Sequence, residues 1–151
     1  MEKFLIFTIQ GRRYGLPSKL INEVAVVEKV FPLPLVPDYI KGIINRYSTP
    51  YALIDAGLLL LKTPSTEARK AVVLKETVEK LALLIDDVTD IADVEDEELL
   101  KVEQEAGDGG APEFIESSFD WQGEAALCLN MGELIRFLKE ADLSAGESGG
   151  R

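Results

Sequence analysis

The chain has 151 residues, 46% apolar and 28% charged, with a formal charge of −11. That composition is globular, fits one domain, and excludes disorder; no apolar run approaches the ~20 residues of a membrane span. Residues 1–80 carry 12 basic and 8 acidic side chains, whereas residues 86–108 carry 11 acidic and one basic, so the acidic second half argues against nucleic acid and anionic membrane as partners.

The N-terminus, MEKFLIFTI, lacks the basic region and cleavage site of a signal peptide, and a cytoplasmic location is expected. Phe4–Gln10 reads as a largely buried strand, and Tyr14–Leu16 as a short returning strand after a turn at Gly11-Arg12-Arg13. Ser18 is placed to cap a short helix over Lys19–Val24, with Leu20, Ile21 and Val24 on one face. Val24–Val30 then reads as strand.

Phe31–Asn45 (FPLPLVPDYIKGIIN) packs three prolines into six residues, so Phe31–Pro37 is expected to run extended. Gly42 sits between apolar residues, where a positive φ or a close backbone approach accounts for a missing side chain. Lys41–Arg46 and Tyr51–Asp55 form a hairpin through Tyr47-Ser48-Thr49-Pro50, and Ala56–Lys62 is open between helix and strand. Lys62–Arg69 reads as loop, Ala71–Lys75 and Leu81–Asp86 as strands, and Glu95–Leu99 as a helical turn. Val88, Ile91 and Val94 continue the apolar signal between acids.

Gln104–Glu113 has three glycines and a proline and is expected to be a mobile loop. Phe114–Trp121 and Ala125–Leu129 are the last strands, turning at Gln122-Gly123-Glu124. Asn130 and Glu133 have capping-box spacing ahead of a helix over 131–142 with Leu134, Ile135, Leu138 and Ala141 on one face. Ser144–Arg151 is expected to be a disordered tail. About nine short strands and two helices indicate a mainly β barrel or sandwich, with two small barrels in one domain.

The chemistry of catalysis is sparse. There is no histidine, which removes the commonest general base and imidazole ligand, and one cysteine cannot form an intrachain disulfide. Cys128 lies in the apolar run ALCL and reads as core. Asp86, Asp87, Asp90 and Asp93 are the remaining catalytic or metal candidates, but lack the glycine of a calcium loop and read as a solvated strand end. The expectation is no enzyme, no cofactor and no metal: a binding module.

Five stretches in order, FLIFTIQGRRYGLP at 4–17, Ile21-x-Glu23-Val24, PLPLVPDYIKGIIN at 32–45, LALLIDDVTDI at 81–91 and ALCLNMGELI at 126–135, resemble the CheW family, the adaptors of bacterial chemotaxis arrays. The resemblance covers roughly residues 2–143. It implies two interlocked five-stranded, SH3-like barrels, placed roughly at 12–67 and at 68–130 with the N-terminal strand 4–10. It also implies a non-catalytic adaptor, monomeric alone, that bridges a chemoreceptor's cytoplasmic tip and the regulatory domain of a CheA-type histidine kinase. By position, Ile21 and Glu23, placed on the short helix, and Gly42, Asn45, Arg46 and Tyr47 match the family's partner-binding surface. Asn45 is expected to satisfy backbone groups at a turn.

The match stops at Asn45. Where the family usually has Leu-Arg-Gly, this chain has Arg46-Tyr47-Ser48. Arg46 restores the charge only if the register slips by one, which flips its side chain to the other face, and tyrosine does not replace arginine in a paired contact. The alternative readings are a module serving another pathway, such as pilus or gene-expression control, and a carboxylate-dependent metal enzyme on Asp86, Asp87 and Asp90.

Overall fold

A computed structural model describes residues 1–101 and 114–149, with side chains described as far as residue 140. The fold is mainly β. Eleven strands are described: β1 (Glu2–Ile9), β2 (Arg12–Pro17), β3 (Ile21–Val26), β4 (Ile40–Arg46), β5 (Thr49–Asp55), β6 (Lys70–Leu74), β7 (Leu81–Ile85), β8 (Asp87–Val94), β9 (Leu100–Lys101), β10 (Ile115–Trp121) and β11 (Glu124–Leu129). Helix α1 is Ala56–Leu61 and α2 is Met131–Gly149.

The strands form a six-stranded sheet, β8-β1-β2-β11-β10-β9, and a five-stranded sheet, β3-β6-β7-β5-β4. This departs from the expected division at 67/68. Strand β2 stays with β1 in the six-stranded sheet, while β6 and β7 join β3–β5. The reason is register: β1 and β2 close a tight hairpin, and β7 lies parallel to β5 and antiparallel to β6.

Three apolar cores follow from residue alternation. Side chains on successive strand positions point to opposite faces, and the runs FLIF and LALLI are buried on both. Phe4 and Ile6 of β1 enter a core with Ala92, Phe119 and Cys128. Leu5, Phe7 and Ile9 enter a larger central core with Tyr14, Leu83, Leu134 and Leu138. Ala82 and Leu84 of β7 face a third core with Ala25, Ile44, Tyr51 and Val73, while Leu81, Leu83 and Ile85 face the central one. The central core thus fuses the two sheets.

Several local expectations change. No helix forms over 19–24: a 3-10 turn at Ser18–Leu20 leads directly into β3, whose residues pair with β6 from Ile21↔Leu74 to Val26↔Lys70. A six-residue helix is marginal by itself, and sheet pairing wins. Ser18 is the first residue of that turn rather than its cap, and the strand expected at 24–30 ends at Val26. The Phe31–Pro37 segment is not extended throughout, because Pro34-Leu35 turns with Leu35 at φ 60. The open segment 56–62 is helical over Ala56–Leu61, with Lys62 as a left-handed C-cap; the Asp55 carboxylate, fully buried, accepts from Leu58 N–H at 3.1 Å and from Ser65 N–H at 3.0 Å. The acid-flanked apolar signal after residue 86 is a strand, β8.

Helix α2 starts as expected, with Asn130 Oδ1 accepting from the Glu133 N–H at 3.1 Å, although the Glu133 carboxylate bonds Arg136. Its backbone continues to Gly149, past the expected end at 142 and into the expected tail. The loop expected at 104–113, the Ala141 side chain and residues 150–151 lie outside the described residues.

Two buried acids couple this packing to pH. Burial pushes the Cys128 thiol up to about 11 from 9.0, and the Tyr14 phenol up to about 12 from 10.0. Both groups stay protonated in the folded chain after the unfolded chain has begun to ionise, so their contribution is complete below pH 9 and lost as pH rises through the folded values. Urea unfolding at a series of pH values should show stability falling above pH 9, by no more than about 1.4 kcal/mol per pH unit for each group. A flat profile between pH 9 and 11 would count against buried, protonated Cys128.

Candidate partner-docking site

Strands β3 and β4 are the outermost strands of the five-stranded sheet, at opposite ends of its order. They nevertheless meet. Arg46 Nε donates to Glu23 Oε2 at 3.0 Å and Arg46 Nη2 to Glu23 Oε1 at 2.9 Å, a bidentate ion pair. The sheet therefore curls until its edges face each other, and the pair bridges the seam. The side chains are 30% and 21% exposed, so the pair is only partly screened by water. The hydrogen bonding to Glu23 raises the Arg46 pKa further.

Alternation explains why these two residues face inward. On β4, Arg46 shares a face with Ile44, and on β3, Glu23 shares one with Ala25; Ile44 and Ala25 belong to the same inner core. The ion pair thus caps the end of that core. Below it the chain after β3 returns to β4: Phe31 and Ile43 exchange two backbone hydrogen bonds of 2.8 Å. Gly42 makes that approach possible. Its φ is 141, and a Cβ there would lie 2.3 Å from the Phe31 carbonyl oxygen, so both reasons advanced for a glycine apply.

The six site residues expected from sequence do not all converge. Glu23 and Arg46 form the seam pair, and Gly42, Asn45 and Tyr47 lie on the same β4 arm. Ile21 is separate: a bulge between Ile21 and Glu23 sets it opposite Leu74, against the central core. Asn45 is exposed within β4, opposite Pro50, and is not a turn residue. The turn is only Tyr47-Ser48, since Thr49 and Pro50 already belong to β5. Tyr47 stands 82% exposed at its tip, its ring 5.3 Å from Arg46 Cζ.

Sequence reasoning missed the Glu23–Arg46 contact; strand alternation gives the faces of the two residues but not their pairing. Once residues 21–26 are read as strand, Glu23 falls on the face of Ala25, and Arg46 on that of Ile44. Arg46 needs no slipped register to face inward, because it pairs with Thr49 in the regular hairpin.

The acids of residues 86–93 are spent locally. Asp86 accepts from Gln10 N–H at 2.7 Å, Asp90 from Ile91 N–H at 2.8 Å, and Asp93 from Lys3 Nζ at 3.0 Å. Asp87 pairs with Lys70, whose ammonium lowers the carboxyl pKa. Among the described residues, no group of three or more acids, cysteines or histidines is arranged to hold a metal.

The ion pair has a measurable worth. A double-mutant cycle of Glu23→Ala and Arg46→Ala, read by urea unfolding, should give a coupling of about 1–2 kcal/mol, above the usual exposed pair because the contact is bidentate and partly buried. Charge reversal at Glu23 should destabilise the fold, and the swap Glu23→Arg with Arg46→Glu should recover part of the loss. A coupling indistinguishable from zero would contradict the closure.

Comparison with known proteins agrees with this architecture. The profile of the CheW-like domain matches residues 3–139. Among solved structures, the chain is similar to the scaffolding protein TtCheW from Thermoanaerobacter tengcongensis, with 17% identity, a TM-score of 0.78, and coverage of 86% of this chain and 84% of that one. No curated protein matches. At that identity the structural likeness speaks to the fold, while the profile spans nearly all of the sequence: the chain belongs to the CheW-like domain family.

Proposed function

We propose that this protein is a non-catalytic adaptor of chemotaxis-type signalling, coupling a chemoreceptor's cytoplasmic tip to the regulatory domain of a CheA-type histidine kinase through protein–protein contacts. The family match over residues 3–139 carries the reading. The β3–β4 end of the five-stranded sheet supplies a surface suited to it. Residues 21–50 hold three acids and three bases in a chain of net charge −11. They also hold Val24, Val26, Phe31, Leu33, Leu35 and Tyr47, six of the ten exposed large apolar side chains among the described residues. Exposed apolar side chains concentrated in a segment of zero net charge support an interface in this part of the fold.

In this reading Asn45 and Tyr47 meet the partner, Gly42 sets the backbone beneath them, and Glu23 and Arg46 hold the arm in place. Ile21 contributes from the adjoining edge. The protein works in the cytoplasm, monomeric alone and recruited to receptor arrays. No helix among the described residues is long and apolar enough to cross a membrane. The local partners of Asp86, Asp87 and Asp90 weigh against a metal enzyme, since a metal would have to displace them. Tyr47-Ser48, in place of the family's Arg-Gly, favours as second reading a module with changed partners in another signalling pathway.

Calorimetric titration of the full chain with a receptor-tip fragment and with the kinase regulatory domain should give saturable binding to both at micromolar concentrations. Absence of binding to either, with both fragments folded, would remove the adaptor reading and leave the second.

A further inference from the structure

Three two-residue hairpin turns are described, at Gln10-Gly11, Tyr47-Ser48 and Gln122-Gly123, and in each both central φ angles are positive. Such turns match the twist of the flanking strands and favour glycine in the second position. Two of the three obey. The third places Ser48 at φ 67 after Tyr47 at φ 52, a left-handed conformation that side chains disfavour. The strain sits at a fully solvated tip, with Tyr47 82% exposed, where no core packing offsets it. The excess strain is that of Ser48, since Gln10 and Gln122 hold the Tyr47 position at φ 50 and 52 in the other turns; a tip left unrelieved by glycine there points to a role outside the chain.

The electrostatics of the tip restrict the partner. Arg46 is the single charged residue of residues 44–50, and both arms of its guanidinium fork are bonded to Glu23. The same guanidinium lies against one face of the Tyr47 ring, 5.3 Å from the centroid. The arginine is therefore neutralised as an attractant for acids, yet serves as a fixed cation that steadies the ring. A tyrosine loses little freedom when its two side-chain torsions are held in advance, which is the property of an interface anchor.

We propose that Tyr47 is an aromatic anchor that seats its ring in an apolar, uncharged pocket on the protein partner, with Arg46 as the positioning residue behind it. This rests on the adaptor reading and adds the partner's chemistry: an aliphatic or aromatic pocket instead of the acidic surface that an arginine at this tip would seek.

The test titrates the full-length chain against the receptor-tip fragment and the kinase regulatory domain from the same organism, at low and high salt, with Tyr47→Ala, Tyr47→Phe and Tyr47→Arg. Tyr47→Ala should weaken binding to at least one partner by about 30-fold, the loss typical of a buried aromatic anchor. Tyr47→Phe should stay within about threefold, because the ring and its stacking survive. Tyr47→Arg should lose as much as the alanine variant, and raising the salt should change wild-type affinity by less than about threefold. Tyr47→Phe should unfold at the wild-type midpoint, and Tyr47→Ala and Tyr47→Arg should remain folded, losing only the contact with Arg46. Wild-type affinity in Tyr47→Ala overturns the anchor alone. Equal or tighter binding by Tyr47→Arg overturns the apolar pocket in favour of an acidic one. Failure of the wild type to bind either fragment overturns the adaptor reading, and the anchor with it.

Discussion

The ion pair between Glu23 and Arg46 decides what the five-stranded sheet presents to solvent. A five-stranded sheet left open would expose two edges of unpaired backbone, an invitation to aggregation. Here the edge strands β3 and β4 are drawn together, with Phe31 adding a short backbone bridge to β4 and the bidentate pair holding the end. The hairpin register that pairs Arg46 with Thr49 turns Arg46 inward to Glu23 and leaves Tyr47 at the tip, facing outward.

That closure works only because the opposite side of the sheet is already fixed. Strand β7 is buried on both faces, and so is most of β1, each feeding two cores. Removing a methylene from such a strand would be felt on either side, since interiors are packed at crystal-like density. The arm that carries Gly42, Asn45 and Tyr47 is by contrast anchored through one face and at its ends.

Legibility in the sequence followed physical range. FLIF and LALLI could be recognised as doubly buried strands because the apolar run is local and continuous, and the Asn130 cap because it acts three residues away. The segment 18–26 misled because Leu20, Ile21 and Val24 fit a helical face as well as a strand, and only pairing with β6 decides between them. The Glu23–Arg46 contact joins residues 23 apart and exists only after the sheet has closed, so no local pattern states it. The β4–β5 hairpin was legible in its apolar runs and the turn between them. Arg46, expected to serve only after a register slip, faces Glu23 in the regular hairpin.

The most direct measurement is the NMR behaviour of the Arg46 side chain. A guanidinium held in a bidentate, partly buried pair should show a distinct Nε–H resonance that exchanges slowly with water, with Arg136 on the exposed face of α2 as the internal reference, and Glu23→Gln should abolish the difference. Equal, fast exchange of Arg46 and Arg136 in the wild-type chain would contradict the closure.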